Sequence, residues 1–252
     1  KLQEFKGKEG EKPCLRIWSA GCSSGEEAYT IAMTVKEVIP DLDKWNIEIS
    51  GTDASGFALE KARKAVYPES ALRLVNDIYR EKYFTKNDKQ YLLSNEIKQM
   101  VDFNYLNLIG QDFLLGFDII FCRNVVIYFE IETTIEVLNK FYSSLDNEGY
   151  LFVGYSESLQ FISEKFKMQS FEDSIFYRKL CAKYVPEQKK EKDIKQSFEE
   201  YIQELSLQEV QIEKKEIIEE KKHAIPAKKI EEILVQIVKA FHLKEYDEAF
   251  FL

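Results

Sequence analysis

The chain has 252 residues, of which 45% are hydrophobic and 13% aromatic, enough for one domain with a substantial core plus an appendage. Its formal net charge of -9 argues against a nucleic-acid-binding protein, which normally presents a basic face. No segment approaches the ~20 apolar residues of a membrane span and no secretion leader is visible, so we expect neither a membrane span nor secretion.

Apolar strands alternate with helices up to about residue 155, and all ten glycines fall within this part. The predicted strands are 15–20, 47–50, 117–122 and 150–155, and the predicted helices are 23–39, 58–66 and 133–145. This alternation of continuous apolar strands with helices indicates a parallel sheet that is covered on both faces. Such a sheet binds its ligand at the carboxyl ends of the strands, so the site is expected there.

The segment 67–107 interrupts the alternation. It contains a polar helical stretch, 70–84, followed by two short candidate strands, YLLS (91–94) and MVDFNYL (100–106). We interpret this segment as an insertion that forms a small antiparallel β-subdomain.

Beyond residue 155 glycine is absent, so the remainder must be built differently. The segment 181–227 is dense in Lys and Glu without a sustained heptad, which predicts a solvated, protease-sensitive linker. The segment 228–252 has apolar residues on one helical face and is similar to the opening of a tetratricopeptide-type repeat. A lone helix docked on the domain or on a second copy is the alternative, and in either case the apolar face needs a protein partner.

The four cysteines form no CxxC pair, and the two histidines lie far from them in the sequence. We therefore expect no metal site, and we interpret the cysteines as small buried apolar residues in a reducing cytoplasm. The sequence begins with Lys1 rather than Met, as expected of a fragment or a processed chain.

A glycine-containing loop, 20–27, follows the first predicted strand and ends in Glu26 and Glu27. Glycines let the backbone turn sharply and approach a ligand, and Ser23 is predicted to cap the next helix with Glu26 completing a capping box. Two carboxylates would repel a phosphate but suit S-adenosylmethionine, which carries a sulfonium and an ammonium. Alternatively, the two glutamates only complement the helix dipole.

Polar residues also follow the second and third predicted strands of the alternating pattern. Asp53 can accept hydrogen bonds from both hydroxyls of a ribose, or it can cap the next helix, a role that Ser55 could serve as well. The strand 117–122 runs directly into RNVVIYF (123–129), which indicates the rim of a site. The Asn-Pro-Pro-aromatic loop of amino-directed DNA methyltransferases is absent, which argues against that class.

Five blocks of this sequence, in their order and spacing, resemble the CheR family of chemotaxis receptor methyltransferases. They are RIWSAGCSSGEEAYTIAM, GTDASGFALEKAR, FNYLNL, FDIIFCRNVVIYF and GYLFVGYSESL. The resemblance covers residues 14 to about 180 and implies an α/β fold, a class I (Rossmann-like) methyltransferase sheet with a small antiparallel β-subdomain for receptor docking. With the composition it divides the chain into a methyltransferase domain, 1–180, the linker and a helical C-terminal extension.

The resemblance also implies an activity and a set of site residues. The enzyme would be an S-adenosylmethionine-dependent protein-glutamate O-methyltransferase that esterifies glutamates in the cytoplasmic domains of chemotaxis receptors and leaves S-adenosylhomocysteine. The implied cofactor-binding residues are Glu27, Asp53, Asn107, Leu108, Arg123 and Asn124. Arg123 and Tyr128 are the implied catalytic residues, which would steer and orient the acceptor carboxylate. Alternatively, Tyr128 only fills the core.

Two departures from the family pattern are visible. The GHSE motif reads Gly154-Tyr155-Ser156-Glu157, so any role of its histidine is lost or taken by tyrosine. Residues 1–13 do not resemble the N-terminal segment with Phe-Phe-Arg that covers the cofactor in the family, so we expect weak cofactor binding by this chain. The open alternatives are a class I methyltransferase with another substrate and a non-catalytic cofactor-binding or scaffold module.

Overall fold

The computed structural model describes residues 12–39, 41–73, 75–154, 157, 165–171 and 174–180. The predicted linker and the predicted C-terminal helical segment lie outside these residues and stay predictions. No helix within the described residues is long and apolar enough to cross a membrane.

Ten strands and five α-helices make up the described part of the chain. The strands are β1 (Cys14–Ala20), β2 (Asn46–Asp53), β3 (Val66–Pro68), β4 (Phe84–Asn87), β5 (Gln90–Leu93), β6 (Val101–Tyr105), β7 (Phe117–Cys122), β8 (Leu145–Val153), β9 (Phe166–Phe171) and β10 (Ser174–Lys179). The helices are α1 (Glu26–Val38), α2 (Gly56–Lys64), α3 (Asp77–Tyr83), α4 (Asn95–Lys98) and α5 (Ile131–Ser144).

Seven strands form the main sheet in the order β6-β2-β1-β7-β8-β10-β9. The first five of these are parallel, and β10 runs antiparallel to both of its neighbours. Among the parallel strands the chain order is third, second, first, fourth, fifth, so the direction of winding reverses between β1 and β7. Ligands of open α/β sheets bind beyond the carboxyl ends of the strands at such a reversal.

Apolar side chains cover both faces of this sheet. One cluster packs α1 and α2 against one face, and a second packs α5 against the other. Trp18 of β1 is fully buried in the second cluster, and its indole N–H donates a hydrogen bond of 2.8 Å to Thr52 Oγ1 of β2. The predicted α/β sheet with two covered faces is thus confirmed.

The strands β3, β5 and β4 form a separate antiparallel sheet, in that order, as the sequence predicted for the insertion. Tyr67 of β3 donates a hydrogen bond of 2.9 Å from its hydroxyl to the carbonyl oxygen of Ser24. The insertion therefore contacts the loop that follows β1.

One expectation about the sheets was wrong, and two strands were not predicted. The stretch MVDFNYL does not belong to the small sheet, because β6 pairs parallel with β2 at the edge of the main sheet. Its buried Val101 and Phe103 pack into the first apolar cluster, and Gly51 of β2 leaves room for the Phe103 ring. The hairpin strands β9 and β10 were not predicted, since the sequence between them contains neither Gly nor Pro.

Candidate active site

A pocket of about 480 Å³ lies at the carboxyl ends of β1, β2, β6 and β7. It is lined by all the residues that the sequence indicated: Glu27, Asp53, Asn107, Leu108, Arg123, Asn124 and Tyr128. Residues from distant parts of the chain therefore meet at the winding reversal of the sheet. Their individual binding roles stay predictions.

The loop after β1 approaches the opposite rim of the pocket closely. Gly21 has φ of 78°, and a Cβ there would lie 2.5 Å from Cγ2 of Val125. Glycine at this position is required on both counts, because L side chains rarely adopt such a φ and because the added carbon would clash. The two loops can pack together only without a side chain at this point.

The predicted capping role of Ser23 was wrong. Helix α1 begins at Glu26 and its N-cap is Gly25, which has a left-handed backbone and no side-chain cap. Ser23 has φ of 48°, and its N–H donates to Asp53 Oδ2 at 2.9 Å. A capping residue needs an extended backbone, which Ser23 does not have while it makes this hydrogen bond.

Both glutamates of the glycine loop line the pocket. Burial raises the pKa of the Glu27 carboxyl, and the positive charge of Arg123 and a hydrogen bond of 2.7 Å from Ser19 Oγ offset part of this shift. Burial likewise raises the pKa of Glu26, whose Oε1 accepts a hydrogen bond of 2.7 Å from Ser24 Oγ. Two desolvated carboxyls beside a pocket favour a positively charged ligand.

Asp53 is half-buried at the end of β2 and holds the backbone on both sides of it. Its Oδ2 accepts from the Ser23 N–H at 2.9 Å and its Oδ1 from the Ser55 N–H at 2.8 Å. Ser55, not Asp53, caps α2, because its Oγ accepts from the N–H of Ala58 at 3.2 Å. An ionised carboxylate offers about four lone-pair positions, so Asp53 keeps roughly half of them for a ligand.

The segment after β6 carries Asn107 and Leu108 into the pocket. Lys140 of α5 donates from Nζ to the carbonyl oxygens of Leu108 at 3.1 Å, Ile109 at 3.2 Å and Gly110 at 2.7 Å. These hydrogen bonds attach this wall of the pocket to α5.

The loop 123–129, which we call the β7 rim, forms part of the pocket wall through Arg123, Asn124, Val125, Tyr128 and Phe129. Arg123 is half-buried and close enough to Glu27 to affect the pKa of its carboxyl. Tyr128 lines the pocket and its side chain is 68% exposed, so it does not fill the core.

Sequence reasoning missed Glu157, whose side chain is only 5% exposed and does not line the pocket. Its Oε2 accepts from the N–H groups of Gly154 at 2.6 Å and Asn124 at 2.8 Å. Its Oε1 accepts from the N–H groups of Val125 at 2.9 Å and Ile127 at 3.2 Å. The signal in the sequence was the last residue of the Gly-Tyr-Ser-Glu motif, of which the prediction considered only the tyrosine. That tyrosine lies outside the described part of the chain.

Cys22 lines the pocket but is not a candidate nucleophile. Burial raises the pKa of its thiol, and the nearby carboxylates of Asp53 and Glu27 add to the shift, so the sulfur stays protonated. Burial also raises the pKa of the Cys122 thiol well above its ordinary value. Both cysteines are free and buried, as the sequence predicted, whereas Cys14 is free and only half-buried, and Cys181 lies outside the described residues.

The winding of the sheet and the acidic pocket at its reversal define an α/β domain of the class I, Rossmann-like methyltransferase type. Residues 2–175 match the family described as "CheR methyltransferase, SAM binding domain". The chain belongs to this family. Its cofactor is S-adenosylmethionine.

Relatives with assigned names agree with this family. The chain is 41% identical over 150 residues to a chemotaxis protein methyltransferase of Borreliella burgdorferi, covering 58% of this chain and 53% of that protein. It is 41% identical over 170 residues to a chemotaxis protein methyltransferase of Vibrio parahaemolyticus, covering 65% and 62%. The chain thus spans less than two thirds of the length of either relative. Among solved structures, the S-adenosylmethionine-dependent methyltransferase SibL is 15% identical to this chain. The alignment covers 63% of this chain and 33% of SibL with a TM-score of 0.37, so no argument is based on it.

The residues present fit S-adenosylmethionine. The volume of about 480 Å³ lies within the range of roughly 300–1,000 Å³ that is usual for small-molecule sites. The carboxylates of Glu26, Glu27 and Asp53 line it and complement a cation, whereas they would repel the phosphates of a dinucleotide.

Proposed function

We propose that this protein transfers methyl groups from S-adenosylmethionine to glutamate side chains of chemotaxis receptors, giving glutamate methyl esters. The arrangement of side chains in the pocket supports this most. The carboxylates of Glu26, Glu27 and Asp53 line the part that we call the inner wall, and Arg123 and Tyr128 line the pocket from the β7 rim. The relatives named as chemotaxis protein methyltransferases support the biological context.

In this proposal the inner wall holds the cofactor. Asp53 accepts hydrogen bonds from the ribose hydroxyls with its remaining lone pairs. Glu27 faces the positively charged part of the cofactor, and Asn107, Leu108 and Asn124 complete the contacts. The positive charge of Arg123 favours the ionised form of Glu27, since it offsets part of the rise in pKa that burial causes.

When bound, the cofactor supplies a methyl group on a positively charged sulfur, which an ionised carboxylate can attack without first losing a proton. Glutamate carboxyls are ionised near pH 7, so the protein needs no strong general base. Among the described residues that line the pocket there is none with an imidazole, which agrees with such a reaction. The contribution of the chain is then orientation of the acceptor by Arg123 and Tyr128.

The β7 rim is also where an acceptor protein can reach the pocket. Ile127 and Tyr128 are 45% and 68% exposed. We propose that the acceptor segment covers these side chains when it binds, which would remove water from the reacting carboxylate.

The test is the chemistry of the product. The chain is incubated with methyl-labelled S-adenosylmethionine and receptor cytoplasmic fragments, and the labelled protein is then treated with mild alkali. A carboxyl methyl ester releases volatile labelled methanol, whereas methyl groups on nitrogen stay on the protein. Fragments in which the acceptor glutamates are replaced by Gln are the matched control and should take up no label.

Two other results would replace the proposal. Label that survives alkali would indicate a class I methyltransferase with a different acceptor group. Tight binding of S-adenosylhomocysteine without any methyl transfer to receptor fragments would indicate a non-catalytic cofactor-binding module.

A further inference from the structure

The backbone of the β7 rim forms a concave group of N–H donors. Asn124 has φ of 57°, in the left-handed region, and Val125 has φ of -118° and ψ of -49°. Successive residues of opposite backbone handedness turn their N–H groups toward one point, and such a nest attracts an anion. In this chain the anion is the carboxylate of Glu157.

Glu157 has no acceptor capacity left for a ligand. Its two oxygens accept from the N–H groups of Asn124, Val125, Ile127 and Gly154. These contacts occupy the roughly four lone-pair positions of a carboxylate. Loss of the carboxylate would leave these part-buried donors of the rim without partners, which is costlier than loss of an exposed hydrogen bond.

We infer that Glu157 is a positioning residue, which sets the backbone of the β7 rim and thereby aims Arg123 and Tyr128 into the pocket. This inference rests on the proposed function for the roles of those two side chains. The binding of S-adenosylhomocysteine and the exchange of the rim amides test it without any acceptor.

Gly154 provides a second, independent observation. A Cβ at this position would lie 2.7 Å from Glu157 Oε2 and 3.1 Å from the backbone nitrogen of Asn124. A side chain there would have to displace the carboxylate from the nest, because the carboxylate and the rim backbone meet directly over this residue. Glycine at position 154 is therefore also needed to keep the Glu157 carboxylate in the nest.

The experiment compares the 252-residue chain with three variants. Glu157→Gln keeps the shape but places an amide donor against two of the four N–H groups. Gly154→Ala keeps the charge and displaces the carboxylate. Asp118→Asn is the matched control, because Asp118 Oδ2 also accepts a backbone N–H, that of Arg16 at 2.9 Å, at the amino end of β7, the end opposite the pocket.

Amide hydrogen exchange and calorimetric titration with S-adenosylhomocysteine are measured for each protein. Glu157→Gln and Gly154→Ala should speed exchange of the amides of Asn124, Val125 and Ile127 by roughly tenfold or more, and weaken ligand binding by a similar factor. The amides of Ser23 and Ser55, which Asp53 holds, should exchange at the parent rate in both variants. Asp118→Asn should leave the rim amides and the affinity unchanged.

The inference would be overturned if Glu157→Gln left both the hydrogen exchange of the rim amides and the affinity for S-adenosylhomocysteine unchanged. Faster exchange spread evenly over β1, β7 and β8 would also overturn it, because Glu157 would then support the whole sheet and not the rim. Either result would leave the ester chemistry of the proposed function untouched. Conversely, alkali-stable label with the predicted exchange pattern would refute the proposed acceptor and retain the role of Glu157.

Discussion

Asp53 and Glu157 are two carboxylates that both accept backbone N–H groups of loops at the pocket, but they differ in burial and in their access to a ligand. Asp53 accepts two backbone N–H groups, is half-buried and lines the pocket. Glu157 accepts four, is almost completely buried and does not line it. The first keeps acceptor capacity for a ligand, and the second has none.

A carboxylate that binds a ligand can be distinguished from one that supports the backbone by its free acceptor capacity. Asp53 and Glu157 are both acids at or after the carboxyl end of a strand of the main sheet, so neither residue type nor position in the sequence separates them. The number of lone pairs that the protein itself occupies separates them, because a saturated carboxylate cannot also accept from a ligand. The variants below test each side of that comparison.

The largest effect is expected for Asp53→Ala. Loss of the two proposed hydrogen bonds from the ribose to Asp53 should weaken the binding of S-adenosylhomocysteine by about 1–3 kcal/mol, measured by calorimetry. Ser55→Ala is the control: it removes the cap of α2 and lowers the stability of the fold by about 1 kcal/mol, but it should leave the affinity near that of the parent. A folded Asp53→Ala protein that binds as tightly as the parent would refute the ribose role.

A smaller effect, on turnover, is expected for a substitution of Tyr128 in the β7 rim. Tyr128→Phe removes the hydroxyl that we propose orients the acceptor, and turnover on receptor fragments should fall by about tenfold while the affinity for S-adenosylhomocysteine stays constant. Tyr105→Phe is the matched control, since Tyr105 is 67% exposed, close to the 68% of Tyr128, and does not line the pocket. Equal turnover in the two variants would remove Tyr128 from the mechanism.

The acidic wall should make cofactor binding depend on pH. Burial raises the pKa of Glu26 and Glu27, so in the folded protein they take up protons at a higher pH than an ordinary glutamate does. The affinity for S-adenosylmethionine should therefore fall as the pH is lowered toward the ordinary glutamate range, because the neutral carboxyls no longer attract a cation. Calorimetric titrations at several pH values check this, and Glu27→Gln should bind more weakly but flatten the profile.

The same shift has the opposite sign for the stability of the protein without ligand. A carboxyl whose pKa is higher in the folded state than in the unfolded chain favours the folded state below the unfolded pKa, and this contribution is lost as the pH rises through the folded value. Thermal unfolding at the same pH values should show this slope diminished in Glu27→Gln. An affinity that is constant over this range would argue that neither glutamate faces the cofactor.

The smallest effect is expected for Lys140→Met, which keeps the apolar stem and removes the hydrogen bonds to the wall that carries Asn107 and Leu108. The affinity for S-adenosylhomocysteine should fall by only about two- to fivefold, because these contacts are partly exposed. Lys36→Met is the control, as it breaks an exposed ion pair with Glu96 (3.2 Å) away from the pocket and should change nothing measurable. A loss as large as that of Asp53→Ala would mean that this wall dominates binding.

The sequence predicted the residues that line the pocket better than the contacts that hold the backbone around it. The alternating pattern predicted that the segments carrying Glu27, Asp53 and Tyr128 meet at one edge of the sheet, and the resemblance to the CheR family singled out Glu27 and Tyr128 within them. The Ser23 cap failed because local spacing does not reveal that Asp53, thirty residues later, fixes the Ser23 backbone. Glu157 acts through backbone donors on another segment, so its role could not be derived from residue types.

The sheets show the same distinction between local and distant information. The alternating apolar pattern predicted β1, β2, β7 and β8 because burial on both faces gives continuous apolar runs. The same pattern could not say which sheet β6 joins, since that choice depends on the fit of Phe103 over Gly51.

A crystal structure of the chain with S-adenosylhomocysteine tests the comparison most directly. It should show the Asp53 carboxylate within about 2.6–3.2 Å of the ribose hydroxyls, with its hydrogen bonds to Ser23 and Ser55 intact. Glu157 should keep all four backbone donors and make no contact with the ligand. Ribose hydroxyls bound elsewhere would contradict the binding role of Asp53, and a Glu157 carboxylate turned toward the ligand would contradict the supporting role of Glu157.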